Sequence, residues 1–94
     1  MRIEGGVAFP EGNLTQAEAT RLLKEGEAAV QGGCRVFDMA GARQVDSAAL
    51  SLMMCWQRRA HAVGKTLDFR NIPESLSGLA ALYGVADLIG ADAP

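Results

Sequence analysis

The sequence has few of the residues that build chemical centres: two cysteines, one histidine and one tryptophan among 94 residues. Cys34 and Cys55 form no CxxC pair and have no partner at metal-ligand spacing, so we interpret both as partly buried thiols in a reducing compartment. His61 is isolated, near the end of a predicted helix where a cation complements the helix dipole. No nucleophile is accompanied by a base and an orienting group. We therefore expect no metal, no cofactor and no enzymatic activity.

An excess of positive charge is missing as well. Nine Lys and Arg residues stand against eleven Asp and Glu residues, which gives a formal net charge of −2. Such a chain offers no broad basic face for a phosphate backbone, so we expect no direct binding of nucleic acid.

Long apolar runs are also absent. No segment approaches the roughly 20 apolar residues that cross a bilayer, and residues 1–6 lack the apolar core of a signal peptide. We therefore expect a cytoplasmic protein that does not insert into a membrane.

What is present is the composition of a globular protein, with 49% hydrophobic and 21% charged residues. No stretch rich in proline, glycine and serine divides the chain, so residues 1–94 are predicted to form one domain.

The first half of the chain predicts a strand, a helix and a second strand. Short apolar pieces in residues 1–9 predict a weak edge strand or a hairpin, and residues 10–13 predict a loop. Thr15 and Glu18 have the spacing of a capping box and predict the start of the first helix, which a pair of glycines ends. Residues 34–39 alternate weakly between apolar and polar side chains and predict the second strand.

A polar pair opens the second predicted helix. Asp46 or Ser47 can accept hydrogen bonds from the first free N–H groups, where the helix dipole is positive. At about 100° per residue, one side of this helix is an apolar stripe that we assign to the core: Ala49, Leu52, Met53, Trp56, Ala60 and Val63. Leu50 and Met54 fall off that stripe, which makes them candidates for contact with a partner.

Gly64 is predicted to end the second helix, and the last third of the chain predicts a strand over residues 66–69 and a third helix. Asn71 is expected to cap that helix and Pro73 to occupy its first turn, with a buried face formed by Leu76, Leu79, Ala80 and Tyr83. Strands that alternate with helices in this way indicate an α/β fold with parallel pairing through right-handed crossovers.

Three segments resemble the STAS domain family, to which the anti-anti-sigma factors belong: Val45–Leu50, Gly64–Leu76 and Leu79–Val85. Within that family, Trp56 and the Asn71-Ile72-Pro73 turn most resemble the MlaB-like branch, the small STAS subunits of Mla phospholipid-transport ABC systems. The resemblance implies a sandwich in which helices pack on a central mixed sheet of about four strands.

The resemblance also implies a function. It implies a non-enzymatic cytoplasmic subunit that binds the ATPase subunit of an inner-membrane, Mla-type ABC transporter and supports its assembly and activity, within a complex that includes permease and lipid-binding subunits. Because the family has its functional Ser or Thr at the position of Ser47 and docks through the second helix, partner contacts are expected at Ser47, Leu50, Ser51, Met54 and Arg58 and, on the preceding loop, at Arg43. The alternative is an anti-anti-sigma-type regulator that is switched by phosphorylation of Ser47.

Each of these candidates also has a structural explanation. Ser47 could be no more than a helix cap, and Leu50 and Met54 could pack under a neighbouring loop. The two arginines could be solvated instead of pairing with an acidic partner. Asp46 has no second carboxylate or histidine nearby in the sequence, so a local structural role is favoured over acid or base catalysis.

Overall fold

The structure, a computed structural model, describes residues 1–90. The last four residues of the predicted domain, 91–94, therefore lie outside the described part. Within residues 1–90, six strands and three α-helices follow one another: β1 (Arg2–Glu4), β2 (Val7–Phe9), β3 (Gly12–Leu14), α1 (Ala19–Gln31), β4 (Val36–Asp38), β5 (Ala42–Val45), α2 (Ser47–Ala62), β6 (Asp68–Arg70) and α3 (Glu74–Leu82). A first 3₁₀ helix (Gln16–Glu18) precedes α1, and a second 3₁₀ helix (Ala86–Ile89) follows α3.

The main sheet has the strand order β1-β2-β4-β6. β1 and β2 form an antiparallel hairpin, while β2 with β4 and β4 with β6 are parallel. α1 and α2 each connect one parallel pair. The two helices pack against each other, and right-handed crossovers that step in the same direction, the usual geometry of such connections, put both helices on one face of the sheet. The prediction of a mixed four-stranded sheet with helices packed on it is confirmed.

The core lies between this face and the helices. Ala8, Phe37 and Phe69 occupy paired positions on adjacent strands and are buried, whereas Asp68 and Arg70, on the opposite face of the sheet, are exposed. The Phe37 ring lies 5.8 Å from that of Phe69 and 4.9 Å from that of Trp56 of α2. The aromatic rings therefore join sheet and helix layers at the centre of the molecule.

A second, smaller sheet corrects two loop predictions. β3 and β5 pair in parallel, with Leu14 opposite Val45, although residues 10–13 and the segment that carries Arg43 were both predicted to be loops. Strands of three or four residues carry too little alternation to be seen in a sequence, because their pairing is set by contacts distant along the chain. This pairing brings the segment before α1 next to the segment before α2.

The helix ends confirm one prediction and correct another. The capping box is wrong: the Thr15 side chain makes no capping hydrogen bond, and the Glu18 carboxylate instead pairs with Arg21. The prediction that Gly64 ends α2 is confirmed, since Gly64 has a φ of 75°. Its N–H donates to the carbonyl of His61, and the N–H of Lys65 donates to that of Ala60, which is a Schellman motif.

Three further predictions near helix ends are corrected. Asn71 does not cap α3, whose N-cap is Pro73; the Asn71 amide donates to Asp38 at 3.0 Å instead. Val63 and Tyr83, both assigned to buried faces, are 59% and 61% exposed. Each is the residue at which its helix ends, so the chain turns away before these side chains reach the core.

Candidate functional site

The N-terminus of α2 is held by Asp46. One carboxylate oxygen accepts the N–H of Ala48 at 2.8 Å, and the other accepts the N–H of Gln16, in the first 3₁₀ helix, at 3.3 Å. One side chain thus caps α2 and ties it to the segment that begins α1. Asp46 therefore has a local structural role.

Ser47 is the first residue of α2 and not its cap. Its side chain is exposed, and its hydroxyl makes no hydrogen bond to any residue that the structure describes. Because Asp46 caps the helix, capping does not explain the hydroxyl of Ser47.

The exposed strip of α2 is narrow and runs its full length. We define the α2 ridge as Ser47, Ser51, Met54, Cys55 and Arg58, which lie within about 100° of one another around the helix axis. Met54 and Cys55 are half-buried and the other three are exposed. The structure thus brings together four of the six predicted contact residues.

The prediction that Leu50 contacts a partner is not supported by its position. Leu50 was expected to point outward, but it is 4% exposed and belongs to the core cluster. The expectation assumed that α2 packs on the sheet alone. In fact α3 and the second 3₁₀ helix also pack against α2, and they cover the flank on which Leu50 lies.

Gln57 is the buried polar residue that sequence reasoning missed. Its amide nitrogen donates to the carbonyls of Leu67 at 3.1 Å and Leu88 at 2.8 Å, and its amide oxygen accepts the N–H of Leu67 at 2.7 Å. This one side chain therefore fixes the approach to β6 and the second 3₁₀ helix against α2. The sequence did not indicate that Gln57 is buried, because exposed glutamines are common on helices.

Two adjoining cavities lie along the boundary between α1 and α2. The first, of about 240 Å³, is lined by Thr20 and Leu23 of α1 and by Ser47, Ser51 and Cys55 of α2, among others. The second, of about 300 Å³, shares Leu23 and Cys55 with the first and continues toward the C-terminal half of α2. We call the two together the α1–α2 groove.

Arg43 does not join this site. It is exposed on β5 and lines a separate polar cleft of about 520 Å³ with Glu11, Asn13 and two glycines. The predicted set of contact residues is therefore divided between two surfaces.

The described residues contain no cluster of three or more His, Cys, Asp or Glu side chains that could hold a metal ion. None of the helices within residues 1–90 is both long and apolar enough to cross a bilayer. The Asp38 carboxyl has a shifted pKa: hydrogen bonds from the Asn71 amide and the Ala40 N–H hold its pKa below the ordinary value. Asp38 is the last residue of β4 and is not part of the α2 ridge.

The family of the chain follows from a match over most of its length. The family model described as "Mlab, STAS domain" matches residues 11–90, the span that runs from β3 through the second 3₁₀ helix. The chain belongs to the STAS domain family. Members of this family are in general non-enzymatic domains for regulation or protein interaction. No curated protein matches the chain.

Proposed function

We propose that this STAS domain is a cytoplasmic, non-enzymatic subunit that binds the ATPase subunit of an Mla-type phospholipid ABC transporter at the inner membrane. In this proposal the α2 ridge is the contact surface, and the domain supports assembly and activity of the complex. It touches lipid only indirectly, through the permease and lipid-binding subunits of that complex.

The observation that carries the proposal is the free hydroxyl of Ser47 at the head of an exposed ridge. Most of the remaining surface of α2 is covered by the sheet, α1, α3 and the second 3₁₀ helix. Within residues 1–90, the part of this helix open to a partner is the ridge, together with the exposed Arg59, His61 and Ala62 in its last turn. The ridge combines small polar side chains with the thioether of Met54. Interfaces of this kind draw affinity from a few apolar anchors, while polar neighbours fix the register.

Co-purification with the ATPase subunit tests this proposal. Ser51→Arg places a long charged side chain in the middle of the ridge, so it should abolish co-purification without lowering the melting temperature. Ser75→Arg is the matched control, because Ser75 is an exposed serine on a different helix, α3. Retention of the ATPase by Ser51→Arg would refute the ridge as the contact surface.

A second candidate function also uses Ser47. An anti-anti-sigma-type regulator would be switched by phosphorylation of this exposed hydroxyl, since a phosphate of about −1.5 to −2 charge at the head of the ridge alters any contact made there. Mass spectrometry of the protein from its native host distinguishes the two. A phosphorylated Ser47 peptide, together with a partner released on phosphorylation, would favour the regulator over the transporter subunit.

A further inference from the structure

The charge of α2 is unlike that of the whole chain. The 16 residues of α2 include no Asp or Glu, but they include Arg58, Arg59 and His61. The chain as a whole has a net charge of −2, so α2 is a cationic element in an acidic protein. Asp46, which precedes the helix, is engaged by two backbone N–H groups.

The two arginines lie at one end of the α1–α2 groove. Arg58 and Arg59 both line the 300 Å³ cavity, together with Leu23, Cys55 and Glu27. Both are exposed, and neither forms an ion pair with any residue in the described part of the chain. Glu27 supplies one carboxylate to the same cavity, which leaves an excess of positive charge there.

The helix dipole does not account for this arrangement. Cations near a helix C-terminus are stabilised by the dipole, but the effect is confined to the last turn. Arg58 lies before the last turn of α2, and the dipole gives no reason for two arginines to line one apolar-walled cavity.

The opposite end of the groove is uncharged. There the wall includes the hydroxyl-bearing residues Thr20, Ser47 and Ser51, and its other residues are uncharged as well. Both cavities are at or below the roughly 300–1,000 Å³ of pockets that enclose small molecules. Side chains of a docked protein segment fit such shallow, adjoining spaces better than a separate ligand does.

We propose that the α1–α2 groove binds an apolar segment of the partner that carries carboxylate side chains, and that these pair with Arg58 and Arg59. This inference rests on the proposed function and adds to it the chemistry of the partner surface and the participation of α1. Opposite charges across an interface mainly accelerate association and fix the register. The association rate should therefore depend on salt.

The test measures binding of the purified ATPase subunit to the immobilised full-length chain at several ionic strengths. For the wild type, the association rate constant should fall by about tenfold or more as salt rises, since exposed charges are screened. Arg58→Glu and Arg59→Glu should each weaken binding about tenfold or more and flatten the salt dependence. Arg70→Glu is the control: it makes the same charge change on the opposite face of the sheet and should leave both quantities unchanged.

The outcomes separate this inference from the proposed function. If the wild type binds and Ser51→Arg blocks binding, but Arg58→Glu behaves like Arg70→Glu, the acidic-segment inference is overturned and the proposed function stands. If the wild type does not bind the ATPase at all, both are overturned. The salt dependence of the wild type needs no variant, so a variant that fails to fold still leaves the inference open to refutation.

The contribution of α1 has its own pair of variants. Thr20→Arg fills the groove from the α1 side and adds a cation, whereas Ala28→Arg makes the same addition at a position of α1 that does not line the groove. Thr20→Arg should weaken binding about tenfold, as expected for obstruction of a packed contact, and Ala28→Arg should not. Equal binding by the two variants would remove α1 from the interface.

Discussion

Substitution of Gly26 by Ala should destabilise the protein, although glycine is a poor residue for the middle of a helix. Gly26 lies in α1 where Trp56 of α2 passes closest. A Cβ atom added there would overlap Nε1 and Cε2 of the Trp56 ring and would lie 2.6 Å from Cδ1. The glycine is therefore required by the close approach of two helices.

Trp56 cannot move away at low cost. Its side chain is fully buried, the Phe37 ring lies 4.9 Å from its own, and its indole N–H donates to the carbonyl of Leu23 at 3.3 Å. Accommodation of the methyl group must therefore push the ring into the core or push α1 away from α2.

The opposing free energies decide the sign of the effect. Ala is favoured over Gly by about 1 kcal/mol in a helix interior. Overpacking costs about 1–3 kcal/mol, and loss of the indole hydrogen bond costs about 1 kcal/mol more. The free energy of unfolding should fall by about 2 kcal/mol, which lowers the melting temperature of a domain of this size by roughly 8–16 °C.

The assay is urea and thermal unfolding followed by the fluorescence of Trp56, the one tryptophan of the chain. Gly78→Ala in α3 is the matched control, because a Cβ atom at Gly78 would meet no atom within 4 Å beyond the adjoining backbone of its own helix. It should stabilise by about 0.5–1 kcal/mol. A Gly26→Ala protein as stable as the wild type, beside a stabilised Gly78→Ala protein, would refute the close-approach argument.

A double-mutant cycle isolates the contact itself. Trp56→Phe destabilises on its own by leaving a cavity, but it removes the part of the ring that the new methyl group would meet. The Trp56→Phe background has no tryptophan, so unfolding of all four proteins of the cycle is followed by circular dichroism. Gly26→Ala should lower the free energy of unfolding less in the Trp56→Phe background than in the wild type.

Three further predictions concern other parts of the structure. Asp46→Ala should lower the free energy of unfolding by about 1–2 kcal/mol through the loss of a cap, whereas Ser47→Ala should change it by less than about 0.5 kcal/mol, as chemical denaturation will show. Gln57→Leu should cost about 3 kcal/mol in the same assay, because it leaves buried backbone groups without partners. The pKa of Asp38 in the folded protein is lowered mainly by the hydrogen bond from Asn71. The Asp38 carboxylate therefore stabilises the fold at pH values above its ordinary pKa of 3.8. This stabilisation is lost as the pH falls through the pKa of the folded state. Asn71 has a φ of 55°, which glycine tolerates, so Asn71→Gly removes the amide without backbone strain. Its urea midpoint should therefore be lower than that of the wild type at neutral pH, and the difference should narrow below about pH 4.

The sequence predicts the large elements of this fold because their causes are local. The apolar stripe of α2 has helical periodicity, and glycines that adopt a positive φ end the helices, so both features are visible without any tertiary contact. The short pair β3 and β5 is invisible for the opposite reason, since it exists only where residues about 30 positions apart meet.

In the candidate site, too, the features that depend on one helix could be predicted and those that depend on tertiary contacts could not. Ser51 and Arg58 lie off the apolar stripe on a helical wheel and are exposed, because their direction depends on α2 alone. Leu50 was predicted wrongly because its exposure depends on α3 and the second 3₁₀ helix, whose positions a wheel does not contain. Gln57 shows the same dependence, since its burial follows from where Leu88 lies.

The contact between Gly26 and Trp56 joins stability to the proposed binding site. It lies one helical turn from Leu23, one of the two residues shared by both cavities of the α1–α2 groove, and it sets how closely α1 approaches α2. A methyl group that separates the helices changes the width of the groove without changing the identity of any residue that lines it. Gly26→Ala should therefore weaken binding of the ATPase even at temperatures where the variant is fully folded, whereas Gly78→Ala should bind as the wild type does. Equal binding by the two folded variants would show that the partner contacts the α2 ridge alone and that the α1–α2 groove is not part of the interface.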